Sequence, residues 1–203
     1  MISRRTLLVL AFAMPVAARA NPSASAAPIA ALNAGLLKIM NAGKDTAFTG
    51  RYDIHKPVVE KTFDLVLILR NSVGPNRWSA FPPNLQAELL DIFTRFTVSN
   101  WVANFDAFDG ETFQILPELR KVGADEVVQT RIVPRTGEPT RLDYVMRRSG
   151  DDWRAVDILL DGSISRVAVQ RSDFRALLKD GNPAALITML REKVTALAAG
   201  AKS

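Results

Sequence analysis

Residue types capable of chemistry are few in this chain and far apart. His55 is the single histidine and there is no cysteine, which excludes a multi-histidine metal site, a zinc–thiolate centre and a thiol nucleophile. A serine triad would have to recruit His55, and no G-x-S-x-G elbow is present to serve it. The eleven glycines are dispersed among turns. They form neither of the glycine-rich loops whose backbone amides cradle a phosphate. Asp106, Asp109 and Glu111 surround Gly110, and Asp151-Asp152 occupy a turn; without the ligand spacing of a calcium loop, both groups read as solvated turn formers. Asp157 differs, because it lies inside an apolar strand where a carboxylate is kept only if it is paired. It is open to a structural hydrogen bond or to acid–base work with Tyr144 or His55, as in isomerases that set one carboxylate and a phenol in an apolar pocket. His55, followed by Lys56-Pro57, reads as a loop residue.

The elements that must position these residues change period near Gly110. Ile29, Leu32, Leu36, Leu37, Ile39 and Met40 recur at helical spacing and the run closes on Gly43. Residues 56–74 read as a further helix through Val58, Phe63, Val66, Leu67 and Leu69. Pro82-Pro83 suit the first turn of a long helix with Leu85, Leu89, Ile92, Phe93 and Phe96 on one broad face. Beyond Gly110 the period is two: Val128, Thr130 and Ile132, then Leu142, Tyr144 and Met146, alternate with polar neighbours. Turn signals at Gly123-Ala124-Asp125, Thr136-Gly137-Glu138 and Ser149-Gly150-Asp151 make an antiparallel meander the natural topology. Helix returns after Gly162, with Ser172 and Asn182 as candidate caps and Pro183 in a first turn. Helices, a sheet and helices again make an α+β domain.

Length and charge set the class. The 203 residues are 48% apolar, enough for one domain with a substantial core. Residues 1–20 have basic Arg4 and Arg5, an apolar run from Leu7 to Ala18 and a small-x-small signal at Ala18-Arg19-Ala20. This is the anatomy of an export signal, and the run is too short to span a membrane. Cleavage near Ala20 implies a periplasmic protein, with residues 21–28 a flexible lead-in and 29–199 a single domain. The chain carries +5, of which the leader holds three arginines; the scattered remainder of +2 excludes the clustered basic surface of a nucleic-acid binder. With no cysteine the exported domain is held by burial alone.

Large apolar side chains are what this sequence has in abundance. Phe48, Phe63, Trp78, Phe81, Phe93, Phe96, Trp101, Phe105, Phe108 and Phe113 crowd the helical half and its border. They are either plain core or the walls of an incompletely filled interior, the usual shape of a small-molecule site.

The most specific stretch lies near the C-terminus. Val156-Asp157, Asp161-Gly162-Ser163-Ile164-Ser165, Gln170-Arg171-Ser172-Asp173-Phe174, Gly181 and Leu186-Ile187 through Leu190-Arg191 follow one another in an order that resembles the C-terminal signature of the MlaC/toluene-tolerance family. Upstream, Phe63-Asp64-Leu65, Gly74 to Trp78, Phe93 to Trp101 and Phe105 to Phe113 fall in the family's order, so the resemblance spans about Ile29 to Leu197. Gly162-Ser163-Ile164-Ser165 and Val169 to Phe174 depart from the phospholipid carriers and look more like the hopanoid-associated HpnM branch.

The resemblance implies an NTF2-like curved sheet with N- and C-terminal helices around an apolar cavity, and a carrier that shuttles lipid to or from the outer membrane. The lipid would be a hopanoid first and a phospholipid second, and the inner-membrane partner an RND-type exporter or an ABC-type complex respectively. On this reading Phe63, Val66, Leu67, Trp78, Leu89, Phe93, Phe96, Trp101, Val128, Ile132, Tyr144, Val156 and Ile158 line the cavity. Asp157, Gly162 and Arg171 are structural, with Arg171 capping carbonyls or pairing with Asp157. No catalytic residue, cofactor or metal is expected. Two rivals stay open: an enzyme on the same fold using Asp157, Tyr144 or His55, and an adaptor with a filled interior and an exposed apolar patch.

Overall fold

A computed structural model of the chain describes residues 23–43, 45–178 and 181–201. The expected export leader at 1–20 and the start of the expected lead-in lie outside them. Five helices come first: α1 (Ala27–Ala42), α2 (Phe48–Thr62), α3 (Leu65–Val73), α4 (Pro75–Ala80) and α5 (Pro83–Asn104). Strands β1 (Thr112–Val122), β2 (Asp125–Val133), β3 (Thr140–Ser149), β4 (Asp152–Leu160) and β5 (Ile164–Ser165) follow, then α6 (Arg166–Arg175), a 3-10 turn and α7 (Ala184–Ala198). Among the described residues no helix is long and apolar enough to cross a membrane.

The sheet is the expected antiparallel meander, in the order β1-β2-β3-β4-β5. Val128 faces Tyr144, which faces Ile158, so the alternation delivers one apolar face to the helices. Between Val145 and Met146 the β3–β4 register shifts; the extra residue on β4 is a bulge that bends the strand ahead of Asp157. Helices α1, α2, α5 and α7 join this face in a core that includes Leu32, Leu36, Val59, Leu89, Phe93, Tyr144, Leu186 and Leu190.

Three local expectations are corrected. The single helix expected over residues 56–74 is two helices, broken at Phe63-Asp64. Phe63 is extended and bridges Ala155 in parallel, the Asp64 N–H donates to the Ala155 carbonyl (3.0 Å), and the Asp64 carboxylate accepts from the Leu67 N–H (2.9 Å). An aspartate that can cap a new helix competes with continuing the old one. Second, His55 is no loop residue. It sits in α2, which runs through Pro57, and is fully buried, because packing of α2 against α1 and α5 outweighs the local cost of the proline. Third, the cap before α6 is Ser165, whose Oγ accepts from the Ala168 N–H (2.9 Å). Ser172 lies inside that helix, whereas Asn182 accepts from the Ala184 N–H (2.9 Å) ahead of α7.

Candidate functional site

A cavity of about 290 Å³ opens between α3, α5, α6 and the β3–β4 half of the sheet. Helix α5 supplies Phe93, Phe96, Thr97, Asn100, Trp101 and Asn104, the i, i+3, i+4, i+7, i+8, i+11 series that places side chains along one helix face. The break at Asp64 sets Phe63, Leu65 and Ile68 on the opposite wall, β3 and β4 add Leu142, Asp157, Ile158 and Leu160, and α6 adds Arg166, Val167 and Gln170. Phe63, Leu65, Ile68, Phe93 and Phe96 are buried and make the floor. The remaining lining residues are part-exposed or exposed and make the rim, where all six polar members of the lining gather. Phe105 completes the lining at the end of α5.

Aromatic rings form a continuous row along one side. Phe63 lies 6.3 Å from Tyr144 and 6.0 Å from Trp101 between ring centroids, Trp101 stacks on Phe105 at 5.5 Å, and Phe105 meets Phe113 at 5.9 Å. These separations suit offset or tilted ring pairs and hold the wall in place without filling the space.

The strongest polar arrangement is at the start of α6. Asp157 Oδ1 accepts from the N–H groups of Ile158 (2.8 Å) and Val167 (3.1 Å), while Oδ2 accepts from the Ser165 hydroxyl. The carboxylate thus satisfies the first turn of α6, where backbone donors lack partners and the helix dipole favours negative charge. Arg171 takes no part in this and makes no hydrogen bond or ion pair among the described residues; its guanidinium lies about 4.0 Å from where a Cβ on Gly74 would be. Gly162 has φ +74°, and a Cβ there would meet the Arg141 guanidinium at 2.5 Å. Arg141 in turn holds the fully buried Asp143 carboxylate (2.7 Å).

Of the thirteen residues expected to line the cavity, the structure brings together Phe63, Phe93, Phe96, Trp101 and Ile158. Val66 points to solvent at 48% exposure, and Leu67 turns aside with it because α3 starts afresh at Asp64. Leu89, Val128, Tyr144 and Val156 are buried away from the cavity, and Trp78 and Ile132 lie outside its lining. Sequence reasoning missed Leu65, Ile68, Leu142, Leu160 and Val167, and every polar member except Asp157. Helical spacing from Phe93 could have found Thr97, Asn100 and Asn104.

The three acid–base candidates do not meet at the cavity, since Asp157 alone of them lines it. Burial pushes the Tyr144 phenol well above its ordinary range and pushes His55 down to about 4. Among the described residues no group of three or more acids and histidines could hold a metal.

An antiparallel meander cupped by helices, with an apolar cavity between them and its polar groups confined to the rim, is an α+β fold whose cavity has the shape usual for small-molecule sites. The family model described as MlaC protein matches residues 31–192, and the chain belongs to the MlaC family. A solved structure of similar fold is the phospholipid-binding protein from Ralstonia solanacearum in complex with a phospholipid, at 20% identity and TM-score 0.73, covering 86% of this chain and 98% of that one. No curated protein matches the chain.

Proposed function

We propose that this protein is a periplasmic lipid carrier that buries lipid tail in the cavity, leaves the head at the rim and performs no chemistry on its cargo. The observation that carries the reading is the apolar cavity of about 290 Å³ in a member of the MlaC family. With a water's share of ~30 Å³ as yardstick, that volume holds about ten methylene-sized groups. At ~0.8 kcal/mol each, their burial supplies on the order of 8 kcal/mol before the costs of association. A tail can therefore be retained with no bond made or broken.

Phospholipid is the favoured cargo, supported by the Ralstonia protein of similar fold, which is described as binding one. A hopanoid is the second reading, favoured by Gly162-Ser163-Ile164-Ser165 and by the row of flat rings along one wall. The carrier would exchange cargo between an inner-membrane transporter, ABC-type or RND-type according to the lipid, and the outer membrane. The adaptor alternative calls for a filled interior and is disfavoured by the cavity.

Trp101 gives the test, because it lines the cavity while Trp78 and Trp153 do not. Phospholipid with brominated tails should quench the fluorescence of the wild-type protein, and Trp101→Phe should lose most of that quenching. Quenching that survives intact in Trp101→Phe would place the lipid elsewhere.

A further inference from the structure

Tail burial leaves one feature of the cavity unexplained. Arg166 is the only lysine or arginine in its lining, stands on the first turn of α6, is part-buried, and makes no hydrogen bond or ion pair among the described residues. A part-buried guanidinium with no hydrogen-bond or ion-pair partner, in the lining of a largely apolar cavity, is a poor choice for a purely apolar cargo, since burying an unpaired charge is costly.

The nearest candidate partner is already committed. Asp157 lies in the same wall, but both of its oxygens accept from protein donors: the N–H groups of Ile158 and Val167, and the Ser165 hydroxyl. Its charge answers the positive end of α6. Gln170, one turn beyond Arg166 and therefore on the same helix face, has its amide fixed 3.0 Å from Ser72 Oγ. The facing helix presents the neutral amides of Asn100 and Asn104. The rim thus holds one cation without a hydrogen-bond partner, beside a carboxylate whose oxygens are already engaged and among neutral amides.

We propose that Arg166 binds the anionic part of the cargo's head, making the cavity selective for lipids that carry a phosphate or carboxylate oxyanion beside the tail. The inference rests on the carrier reading and adds the class of headgroup to it. A guanidinium suits this task because its planar fork can donate two parallel hydrogen bonds to one oxyanion, and such charge-assisted bonds are about twice as strong as neutral ones. At a part-exposed rim the gain is moderated by solvent and salt, and a preference of about tenfold is expected.

The test uses three ligands with one tail and different heads: dodecyl phosphate, dodecanoate and dodecanol, titrated into the mature chain. The wild-type protein should bind dodecyl phosphate, and to a lesser extent dodecanoate, about tenfold more tightly than dodecanol at low salt, with the ratio shrinking as salt is added. In Arg166→Gln the ratio should fall to about one, and Arg166→Lys should keep part of it. Dodecanoate binding as tightly as the phosphate would assign the subsite to oxyanions in general, and weaker dodecanoate would assign it to phosphate; both support the proposal. Equal affinity for all three heads, or a preference that Arg166→Gln leaves intact, overturns the headgroup inference and leaves the carrier standing. Failure of all three to bind overturns both.

Discussion

His55 has both ring nitrogens buried with no hydrogen-bond partner, packed edge-on to Trp101 at 6.5 Å between centroids and about 3.2 Å from where a Cβ on Gly35 would sit. Desolvation lowers its pKa to about 4, against about 6.5 in an unfolded chain. Between those values the unfolded chain binds a proton that the folded one refuses. Stability is therefore fully present above about pH 6.5 and is lost as pH falls toward 4, by on the order of 3 kcal/mol. His55→Leu should flatten this dependence, read from urea midpoints at pH 7 and pH 4.5; an equally steep acid loss in the variant would assign it to carboxylates. At Gly162 the left-handed backbone costs any other residue ~1–2 kcal/mol, and a methyl there also displaces Arg141 from Asp143. Gly162→Ala should therefore lower stability by about 2 kcal/mol in thermal or urea unfolding, whereas a neutral effect would mean that the Asp161-Gly162 turn can rearrange freely.

Two of the elements that build the cavity have their first turns held by aspartates. Asp64 caps α3, and Asp157, on β4, accepts from the Val167 N–H at the start of α6, so each carboxylate sets the position of a cavity wall. Asp64→Ala should cost about 1 kcal/mol. Asp157→Ala should cost about 2 kcal/mol, because it also strands the Ser165 hydroxyl and removes a charge from the helix N-terminus; thermal unfolding checks both, and the order of the two effects is part of the prediction. This reliance on caps explains what could be read in advance. The long helix α5 and the meander were legible because their periods of 3.6 and 2 persist over many residues. The α2–α3 break was not, since Val58, Phe63, Val66 and Leu67 keep helical spacing straight across it, and only the hydrogen bonds of Asp64 and Ala155 interrupt the helix. The inner face of the sheet was legible in Val128 and Tyr144, but whether an inward side chain meets a helix or open space depends on where α1, α2 and α6 lie. That is a tertiary fact with no local signature. The polar rim was not legible in apolar periodicity, since Thr97, Asn100 and Asn104 share a helix face with Phe93, Phe96 and Trp101 but carry no apolar signal.

At the scale of the whole molecule, the cavity as it stands holds about ten methylene-sized groups, less than the two tails of a membrane phospholipid. A two-tailed cargo is therefore expected to widen the gap between α5 and the pair α3 and α6, and amide exchange should change in those helices and not in β1 and β2 when the protein is loaded. Thr97→Trp would place an indole in the cavity from a part-exposed position on α5. At least a tenfold loss of lipid affinity is expected, with folding stability kept within about 1 kcal/mol; unchanged affinity would move the lipid to another site. The central claim is that the cavity carries lipid, and its most direct test is mass spectrometry of lipid extracted gently from the protein purified from its native host. One lipid per protein is expected, a phospholipid in the favoured case and a triterpenoid in the second. Protein that emerges empty and takes up neither lipid on incubation would contradict it.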